Sequence, residues 1–276
     1  MSRPARRQTI ANRLRVAGCI YADEEARLLM SAARGSGDLA DLVDRRVAGE
    51  PLEYLLGWAQ FRGRTILLEP GVFIPRERTE FLVDQGAALI EKGPKRTVVV
   101  DLCCGSGAVG AALAAACGPL ELHVELHVEL HSVDIDPSAV RCARRNLAVW
   151  GGTVYLGDLY QPLPSALRGR VDVLVANAPY VPSAAIAMLP WESRRHEPLI
   201  ALDGGADGLD VQRGVIAGAS EWLAPDGHVL VETSRDQASA TLDIADQAGL
   251  QSRLARQEAI DATVVIAAPA GPRRQP

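Results

Sequence analysis

The stretch Thr97-Val-Val-Val-Asp-Leu-Cys-Cys-Gly-Ser-Gly107 decides the fold that the sequence predicts. Its first half, residues 97–102, is a continuous apolar run rich in β-branched residues, which is typical of a strand buried on both faces of a sheet. Its second half is a short loop with two glycines, and an Ala-rich helical segment, residues 109–116, follows at once. A strand, a tight glycine loop and a helix bring backbone N–H groups against a nucleotide-like ligand.

Strands and helices alternate after this stretch. The hydrophobic pattern predicts further strands at residues 130–135, 171–176, 228–232 and 262–268. It predicts helices at residues 138–149, 214–222 and 238–248. Such alternation indicates an α/β fold, in which a parallel sheet is covered by helices on both faces.

The sequence before this region divides into two parts. Residues 9–47 have a helical pattern, which predicts a small N-terminal helical domain over residues 1–50. Residues 51–80 are rich in aromatic residues and carry two turn signals, so we expect a linker with short strands and a hairpin there. Residues 81–276 then form the domain that contains the sheet.

Composition excludes several classes of protein. The chain has 276 residues, of which 48% are hydrophobic and 23% charged, so it is not a disordered chain. No apolar run is long enough to span a membrane, and the N-terminus lacks the apolar core of a secretory signal, so we expect a cytoplasmic protein. The net charge of −5 argues against a protein whose main task is to bind nucleic-acid phosphates.

The sequence predicts no metal site. Its five cysteines show no metal-ligand spacing. A Glu-Leu-His unit recurs over residues 121–131, but residues two apart on a strand lie about 7 Å apart, too far for one zinc ion. A tandem expansion that lengthens a loop or strand explains this repeat better.

Acidic residues follow three successive predicted strands. Asp101 precedes the loop that contains Gly105 and Gly107, and this combination suits a ligand with an ammonium group and a ribose. Asp134 ends the next strand, where a carboxylate can accept hydrogen bonds from both ribose hydroxyls. Asp158 follows a third strand and can meet an adenine amino group. S-adenosylmethionine has all of these groups, and the sequence therefore predicts a site for it.

The segment Asn177-Ala-Pro-Tyr180 follows the strand at residues 171–176 and indicates the chemistry. The side-chain oxygen of Asn177 and the carbonyl of Ala178 can both accept hydrogen bonds from one NH2 group, which would aim the nitrogen lone pair at a methyl sulfonium. Positioning of this kind supplies most of the reduction of the barrier. Tyr180 can stack on a planar amide or base.

The sequence resembles the HemK-type N(5)-glutamine methyltransferases, which methylate a glutamine amide of peptide-chain release factors. The resemblance rests on residues 49–57, 72–80 and 197–209 and on the cofactor loop at 101–107. The chain departs from the family pattern at Ala178, where the family has Pro, at Cys103 and Cys104, where it has Gly and Thr, and at Glu77, where it has Pro.

This resemblance implies a seven-stranded, mostly parallel, Rossmann-like class I methyltransferase sheet and a release factor as the protein partner. It implies catalytic roles for Asn177, Ala178, Pro179 and Tyr180 and contacts of Phe73, Arg76, Asn177 and Tyr180 with the substrate. The cofactor would contact Asp101, Cys103, Cys104, Gly105, Ser106, Gly107, Asp134, Asp158, Leu159 and Asn177. The alternatives are an adenine-N6 nucleic-acid methyltransferase, a small-metabolite methyltransferase and an inactive binding paralogue.

Overall fold

The N-terminal part of the chain is helical. The computed structural model describes residues 2–117 and 127–270, and its first four helices are α1 (Arg3–Val16), α2 (Ala22–Ala32), α3 (Ser36–Val47) and α4 (Leu52–Leu56). Three acidic residues stand in the first turn of α2, where the helix dipole favours negative charge. Ala11, Leu14, Ala26 and Leu29 are fully buried between these helices, so this segment has an apolar core of its own.

A hairpin follows the four helices, as the aromatic-rich segment predicts. Its strands are β1 (Trp58–Phe61) and β2 (Arg64–Leu67), which pair antiparallel. Arg62 and Gly63 both have positive φ, at 49° and 68°, as a two-residue turn between right-twisted strands requires.

The rest of the chain alternates strands and helices around one sheet. In chain order, its elements are α5 (Glu80–Ile90), β3 (Arg96–Leu102), α6 (Ala108–Cys117), β4 (His127–Asp134), α7 (Pro137–Leu147), β5 (Thr153–Leu156), β6 (Val171–Ala176), α8 (Trp191–His196), α9 (Asp210–Trp222), β7 (Leu223–Thr233), α10 (Ala238–Gln247), β8 (Leu250–Gln257) and β9 (Ala262–Pro269).

The sheet has seven strands in the order β5-β4-β3-β6-β7-β9-β8. The pairs from β5 to β7 are parallel, whereas β9 runs antiparallel to both β7 and β8. This architecture confirms the predicted fold class. The hydrophobic pattern gave no bounds for β5, the strand before Asp158, which has only four residues, and it missed β8, an edge strand with exposed polar positions.

Two apolar layers cover the sheet. One layer lies under α5, α6 and α7 and includes Leu82, Leu113 and Leu147, each fully buried. The other lies under α9 and includes Ile216 and Trp222. The central strand β3 contributes Val99 to the first layer and Val100 to the second, which explains why its sequence is a continuous apolar run.

Two sequence predictions remain untested by this fold. The division into domains at 1–50, 51–80 and 81–276 stays a prediction. The part of the repeat at residues 121–126 lies outside the described residues, while residues 127–131 belong to β4. Across residues 2–117 and 127–270, no helix has the length and apolar content needed to cross a bilayer, and no group of three metal-ligating side chains assembles.

Arg46 joins the helical segment to α8. Its Nε donates to Glu25 Oε2 at 2.7 Å, and its Nη1 pairs with Glu192 at the start of α8. The side chains of Arg46 and Glu25 are only 11% and 9% exposed. A buried pair of this kind contributes less to stability than its loss would cost, because removing one partner leaves a buried charge without compensation.

We predict that Arg46→Met lowers the free energy of unfolding by about 3 to 5 kcal/mol, since it leaves the Glu25 carboxylate buried without its cation. Urea unfolding followed by circular dichroism measures the change.

Arg13→Met is the matched control. Arg13 of α1 pairs with Asp44 of α3, but the two side chains are 47% and 64% exposed, so its loss should cost at most about 1 kcal/mol. If both variants lost the same free energy of unfolding, burial would not explain the role of Arg46.

Candidate active site

A cavity of about 550 Å³ opens at the edge of the sheet where the parallel strands β3, β4 and β6 end. The chain leaves β3 for β4 and β5 on one side and returns to β6 on the other. Such a reversal of strand order creates the crevice in which α/β proteins bind ligands. All but one of the sequence-predicted site residues line this cavity: Phe73, Arg76, Asp101, Cys103, Cys104, Gly105, Ser106, Asp134, Asp158, Leu159, Asn177, Ala178, Pro179 and Tyr180.

Gly107 is the exception. It lies at the start of α6 with a φ of 79°, and a Cβ atom there would stand 3.2 Å from Ala143 and Leu147 of α7. The glycine therefore serves the close approach of α6 to α7. The sequence pattern assigned it to the cofactor because glycines of both kinds occur in such loops.

The loop between β3 and α6 is held in an unusual backbone conformation. Cys103 has a φ of 56°, in the left-handed region that disfavours residues with a Cβ atom, and Gly105 has a φ of 54°. Burial, with help from nearby aspartates, raises the pKa of both Cys103 and Cys104 well above the ordinary value. Both residues are therefore neutral thiols at physiological pH, so they add no charge to the cavity wall.

Asp101 ends β3 at the floor of the cavity. It is 1% exposed, and its Oδ2 accepts a hydrogen bond from the backbone N–H of Gly110 at 3.0 Å. Burial raises the pKa of Asp101 to about 7, and the negative charge of Asp134 acts in the same direction. A carboxyl group of this kind favours a cationic ligand, because a nearby positive charge stabilises its ionised form.

Asp134 ends β4 and is held by two backbone donors. Its Oδ2 accepts from the N–H of Gly105 at 2.8 Å, and its Oδ1 accepts from the N–H of Asp136 at 2.9 Å. A carboxylate can accept about four hydrogen bonds, so acceptor capacity remains for a ligand. Asp136 instead accepts from the N–H of Ser138 at 2.8 Å and caps α7, as the sequence predicts.

Asp158 and Leu159 follow the short strand β5. Asp158 is exposed, and Leu159 has a φ of 43°, which is uncommon for a residue with a branched side chain. Both line the cavity beside the ends of β3 and β4. The acids that the sequence predicted at three strand ends therefore meet at one edge of the sheet.

Asn177 leaves β6 opposite these acids. Its Nδ2 donates to the Thr79 hydroxyl at 3.2 Å, which leaves Oδ1 on the other side of the amide. Within the part of the chain that the structure describes, the Oδ1 atom accepts no hydrogen bond. The amide oxygen is therefore free to accept from a ligand in the cavity.

The residues after Asn177 are fixed by their backbone. Gln237 donates from Nε2 to the carbonyl of Tyr180 at 2.9 Å, and Val181 exchanges backbone hydrogen bonds with Leu202 and Gly204. Burial raises the pKa of Tyr180 to about 12, and the carboxylate of Glu232 acts in the same direction. Tyr180 therefore stays a neutral phenol, which suits stacking on a planar group.

Phe73 and Arg76 line the same end of the cavity as Asn177. The guanidinium carbon of Arg76 lies 4.9 Å from the centre of the Phe73 ring, a cation–π distance. The Nη2 of Arg76 pairs with Glu197 Oε2 at 2.5 Å, and Glu197 also accepts from the N–H of Ile74 at 3.1 Å. The Glu197 side chain is 1% exposed, so it orients Arg76 from behind the cavity wall.

Sequence reasoning gave no role to four residues of this region, namely Arg78, Thr79, Glu197 and Glu232. Arg78, Thr79 and Glu197 fall in segments that carry the family resemblance, whereas Glu232 does not, and Arg, Thr and Glu are common surface residues. Thr79, Glu197 and Glu232 are marked by burial next to the cavity, and Arg78, which is exposed, by its Nε lying 3.5 Å from Glu232. Neither burial of a single polar residue nor a contact between distant residues is readable from the sequence.

Comparison with known proteins agrees with this arrangement. The family described as Methyltransferase small domain matches residues 63–191. The release factor glutamine methyltransferase of Geobacter sulfurreducens is 36% identical over 222 residues, which cover 80% of this chain and 71% of that protein. The ribosomal protein uL3 glutamine methyltransferase of Bordetella pertussis is 37% identical over 203 residues, which cover 71% of this chain and 64% of that protein.

The chain belongs to the release factor glutamine methyltransferase family. It is therefore an S-adenosylmethionine-dependent methyltransferase. A solved structure of a ribosomal protein L11 methylase from Lactobacillus delbrueckii subsp. bulgaricus superimposes with a TM-score of 0.51 at 17% identity and covers 76% of this chain and 90% of that one. This likeness concerns the fold, which both proteins share.

The residues of the cavity fit the cofactor of the family. S-adenosylmethionine carries an ammonium group, two ribose hydroxyls and an adenine amino group, all of which donate hydrogen bonds. The strand ends present the acids Asp101, Asp134 and Asp158, which accept hydrogen bonds, and both Asp101 and Asp134 keep unused lone pairs.

We predict that Cys103→Gly changes the free energy of unfolding by less than about 1 kcal/mol. Relief of the left-handed strain, worth roughly 1 to 2 kcal/mol, offsets the lost side chain and the added entropy of the unfolded chain. Cys104→Gly is the matched control, because Cys104 has no positive φ and is 7% exposed. It should destabilise by about 2 kcal/mol in urea unfolding, and equal losses would contradict strain at Cys103.

We also predict a pH dependence of stability from Asp101. Its pKa in the folded protein, about 7, lies above the value of about 4 in the unfolded chain. The stability that the protonated carboxyl contributes is present below about pH 4 and is lost as the pH rises through 7.

Asp101→Asn tests this origin, since the amide keeps the shape but does not ionise. Between pH 5 and pH 8, the free energy of unfolding of the wild type should fall relative to that of the variant. A difference that is constant with pH would show that Asp101 does not titrate in this range.

Proposed function

We propose that the protein transfers a methyl group to the N5 atom of a glutamine side chain in a protein, and that this protein is a peptide-chain release factor. The observation that carries the proposal is the fixed amide of Asn177, whose Nδ2 is bound by Thr79 and whose Oδ1 stays free at the cavity. A glutamine NH2 group needs acceptors of this kind, placed side by side.

The acids at the strand ends would hold the cofactor. Asp101 would face its ammonium group, Asp134 its ribose hydroxyls and Asp158 its adenine amino group. The loop from Cys103 to Ser106 and the side chain of Leu159 would enclose it, since all of them line the cavity. S-adenosylmethionine, when bound, supplies an electrophilic methyl group.

Asn177, Ala178 and their neighbours would hold the acceptor. The Oδ1 of Asn177 and the carbonyl of Ala178 would each accept one N–H of the glutamine amide, which leaves the nitrogen lone pair directed into the cavity. Pro179 restricts the backbone that follows, and Tyr180 and Phe73 offer flat apolar surfaces for the planar amide. Arg76, held by Glu197, would complete this pocket.

The side chains therefore catalyse mainly by positioning. An oriented nitrogen reacts in an effectively unimolecular step, which lowers the barrier by several kcal/mol. The proton of the nitrogen leaves after transfer, so the step does not need a base to begin. The substitution of Pro by Ala at position 178 keeps the carbonyl that this arrangement uses.

A protein acceptor is supported by the surface around the cavity. Four of the exposed large apolar side chains belong to the segment 183–203, namely Met188, Trp191, Leu199 and Ile200, and Ile200 also lines the cavity. Exposed apolar residues that cluster beside a site favour contact with a macromolecule. Release factors act in translation, so we place the protein in the cytoplasm.

A methyl-transfer assay with purified release factor tests the proposal. Mass spectrometry should find one added methyl group on the glutamine of the Gly-Gly-Gln segment, and none when this glutamine is replaced by Glu. Ribosomal protein uL3 and single-stranded DNA serve as further acceptors. Transfer to either of these but not to release factor would refute the proposed substrate.

We predict that Asn177→Ala lowers kcat/KM for the acceptor by about 10²- to 10³-fold, because it removes a fixed acceptor for the reacting NH2 group. Its affinity for S-adenosylhomocysteine in a calorimetric titration should stay close to that of the wild type. Asn12→Ala, at an exposed position of α1, is the control and should change neither quantity. Near-normal turnover of Asn177→Ala would refute the role of this amide.

A further inference from the structure

Glu232 is a buried carboxylate that the proposed reaction does not use. It lies near the end of β7 and is 1% exposed. Both of its side-chain oxygens are buried, and within the described residues neither has a partner at hydrogen-bond distance and angle. Burial of a carboxylate without hydrogen bonds costs free energy, so packing alone does not explain why Glu232 stands there.

The register of the sheet places Glu232 beside Asn177. Ala176 of β6 is paired with Val231 of β7, so the next residues, Asn177 and Glu232, leave neighbouring strands at the same level. Ala176 and Val231 both face the layer under α9. Because side chains alternate along a strand, Asn177 and Glu232 both project to the opposite face, where α5 begins.

Three groups of the acceptor pocket face the Glu232 carboxylate. The Nε of Arg78 lies 3.5 Å from Oε1, and the hydroxyls of Thr79 and Tyr180 also face it. Burial raises the pKa of Glu232, while Thr79, Arg78 and Tyr180 each favour its ionised form. These three residues line the cavity and Glu232 stands behind them.

Arg78 and Thr79 connect Glu232 to the residues of the acceptor pocket. The guanidinium carbon of Arg78 lies 5.8 Å from the centre of the Tyr180 ring, within cation–π distance. Thr79 accepts the hydrogen bond from Asn177 Nδ2 at 3.2 Å. One carboxylate therefore stands behind the partners of both Tyr180 and Asn177.

The direction of the hydrogen bonds follows from the chemistry of these groups. A hydroxyl has one hydrogen to donate and two lone pairs, whereas an ionised carboxylate can only accept. A Thr79 hydroxyl that faces Glu232 turns its hydrogen toward the carboxylate and keeps its lone pairs for the NH2 of Asn177. The Oδ1 of Asn177 is then the atom that faces the cavity.

We infer that Glu232 is a positioning residue of the acceptor pocket, which sets the orientation of the Asn177 amide through the Thr79 hydroxyl and the position of the Tyr180 ring through Arg78. This inference rests on the proposed function, because it assigns Glu232 a part in holding the acceptor amide. Glu232 touches neither the acceptor nor the cofactor.

Glu232→Gln is the test, because it keeps the size of the side chain but removes its charge and replaces one acceptor oxygen with an NH2 donor. Arg78, Thr79 and Tyr180 then no longer face a group that only accepts. We expect kcat for a Gly-Gly-Gln peptide to fall by about 10²-fold, as for a small misplacement of a reacting group. The affinity for S-adenosylhomocysteine should not change. Asp172→Asn, on β6 at the end away from the cavity, is the control and should leave both quantities unchanged.

A double-mutant test with Thr79 distinguishes a positioning role of Glu232 from a general loss of structure. In the Thr79→Val background, which has no hydroxyl, Glu232→Gln should cause little further loss of kcat. Thr79→Ser keeps the hydroxyl and should retain the full effect. If the two substitutions multiply their losses, Glu232 does not act through Thr79 and the inference fails.

A structural measurement keeps this inference separate from the proposed function. In the nuclear magnetic resonance spectrum, the side-chain NH2 signals of Asn177, assigned by their loss in Asn177→Ala, should shift in Glu232→Gln. If wild-type protein methylates no glutamine substrate but this shift is seen, the proposed function is wrong and the orienting role of Glu232 stands. If the signals are unchanged, or if Glu232→Gln folds and keeps wild-type kcat, the inference is wrong.

Discussion

Two acids at the cavity, Asp101 and Glu232, are buried before any ligand arrives, and the rest of the site depends on how the fold offsets the cost of burying them. Asp101 and Glu232 are each 1% exposed, and both stand near the ends of strands in the middle of the sheet. A carboxylate in such a place needs donors or cations around it. The sheet supplies too few of them, which raises the pKa of Asp101 to about 7 and leaves both Glu232 oxygens without a complete hydrogen bond. Incomplete satisfaction is what makes these groups responsive to a ligand or to a neighbouring side chain.

The two ends of the cavity offset the cost of burying carboxylates in different ways. At the cofactor end, the partners of the acids are backbone N–H groups, as Gly105 and Asp136 are for Asp134. At the acceptor end, arginine side chains join the backbone donors, as Arg76 joins the N–H of Ile74 at Glu197. Backbone donors are fixed by the sheet and its loops, whereas arginine side chains are long and can adjust. A rigid cofactor end and an adaptable acceptor end suit an enzyme that binds one small molecule and one protein.

The sequence was sufficient for the parts of the structure that follow from periodicity. The β-branched run of β3, the helix after it and the hairpin at residues 58–67 were predictable because each has a local pattern and its own turn residues. The acids at the strand ends were predictable too, since parallel strands end at a common edge. Gly107 does not line the cavity, and its sequence could not show this, because a glycine that permits helix packing has the same sequence signature as one that approaches a ligand. Its contact with the cofactor stays a prediction. Glu232 was missed because the groups that face it, Arg78, Thr79 and Tyr180, lie just before α5 and just after β6, far from it in sequence.

The wall at the acceptor end also depends on the N-terminal helices. Trp191 of α8 lies against Gly49, where a Cβ atom would come within 2.4 Å of its ring. Next to it, Glu192 lines the cavity and pairs with the buried Arg46 of α3. The two ends of the cavity thus depend on different apolar cores. The cofactor loops depend on the core of the sheet, and this wall depends on the core of the N-terminal helices as well. A change that loosens the helical core should therefore disturb the acceptor before it disturbs the cofactor, although no residue of α1 to α4 lines the cavity.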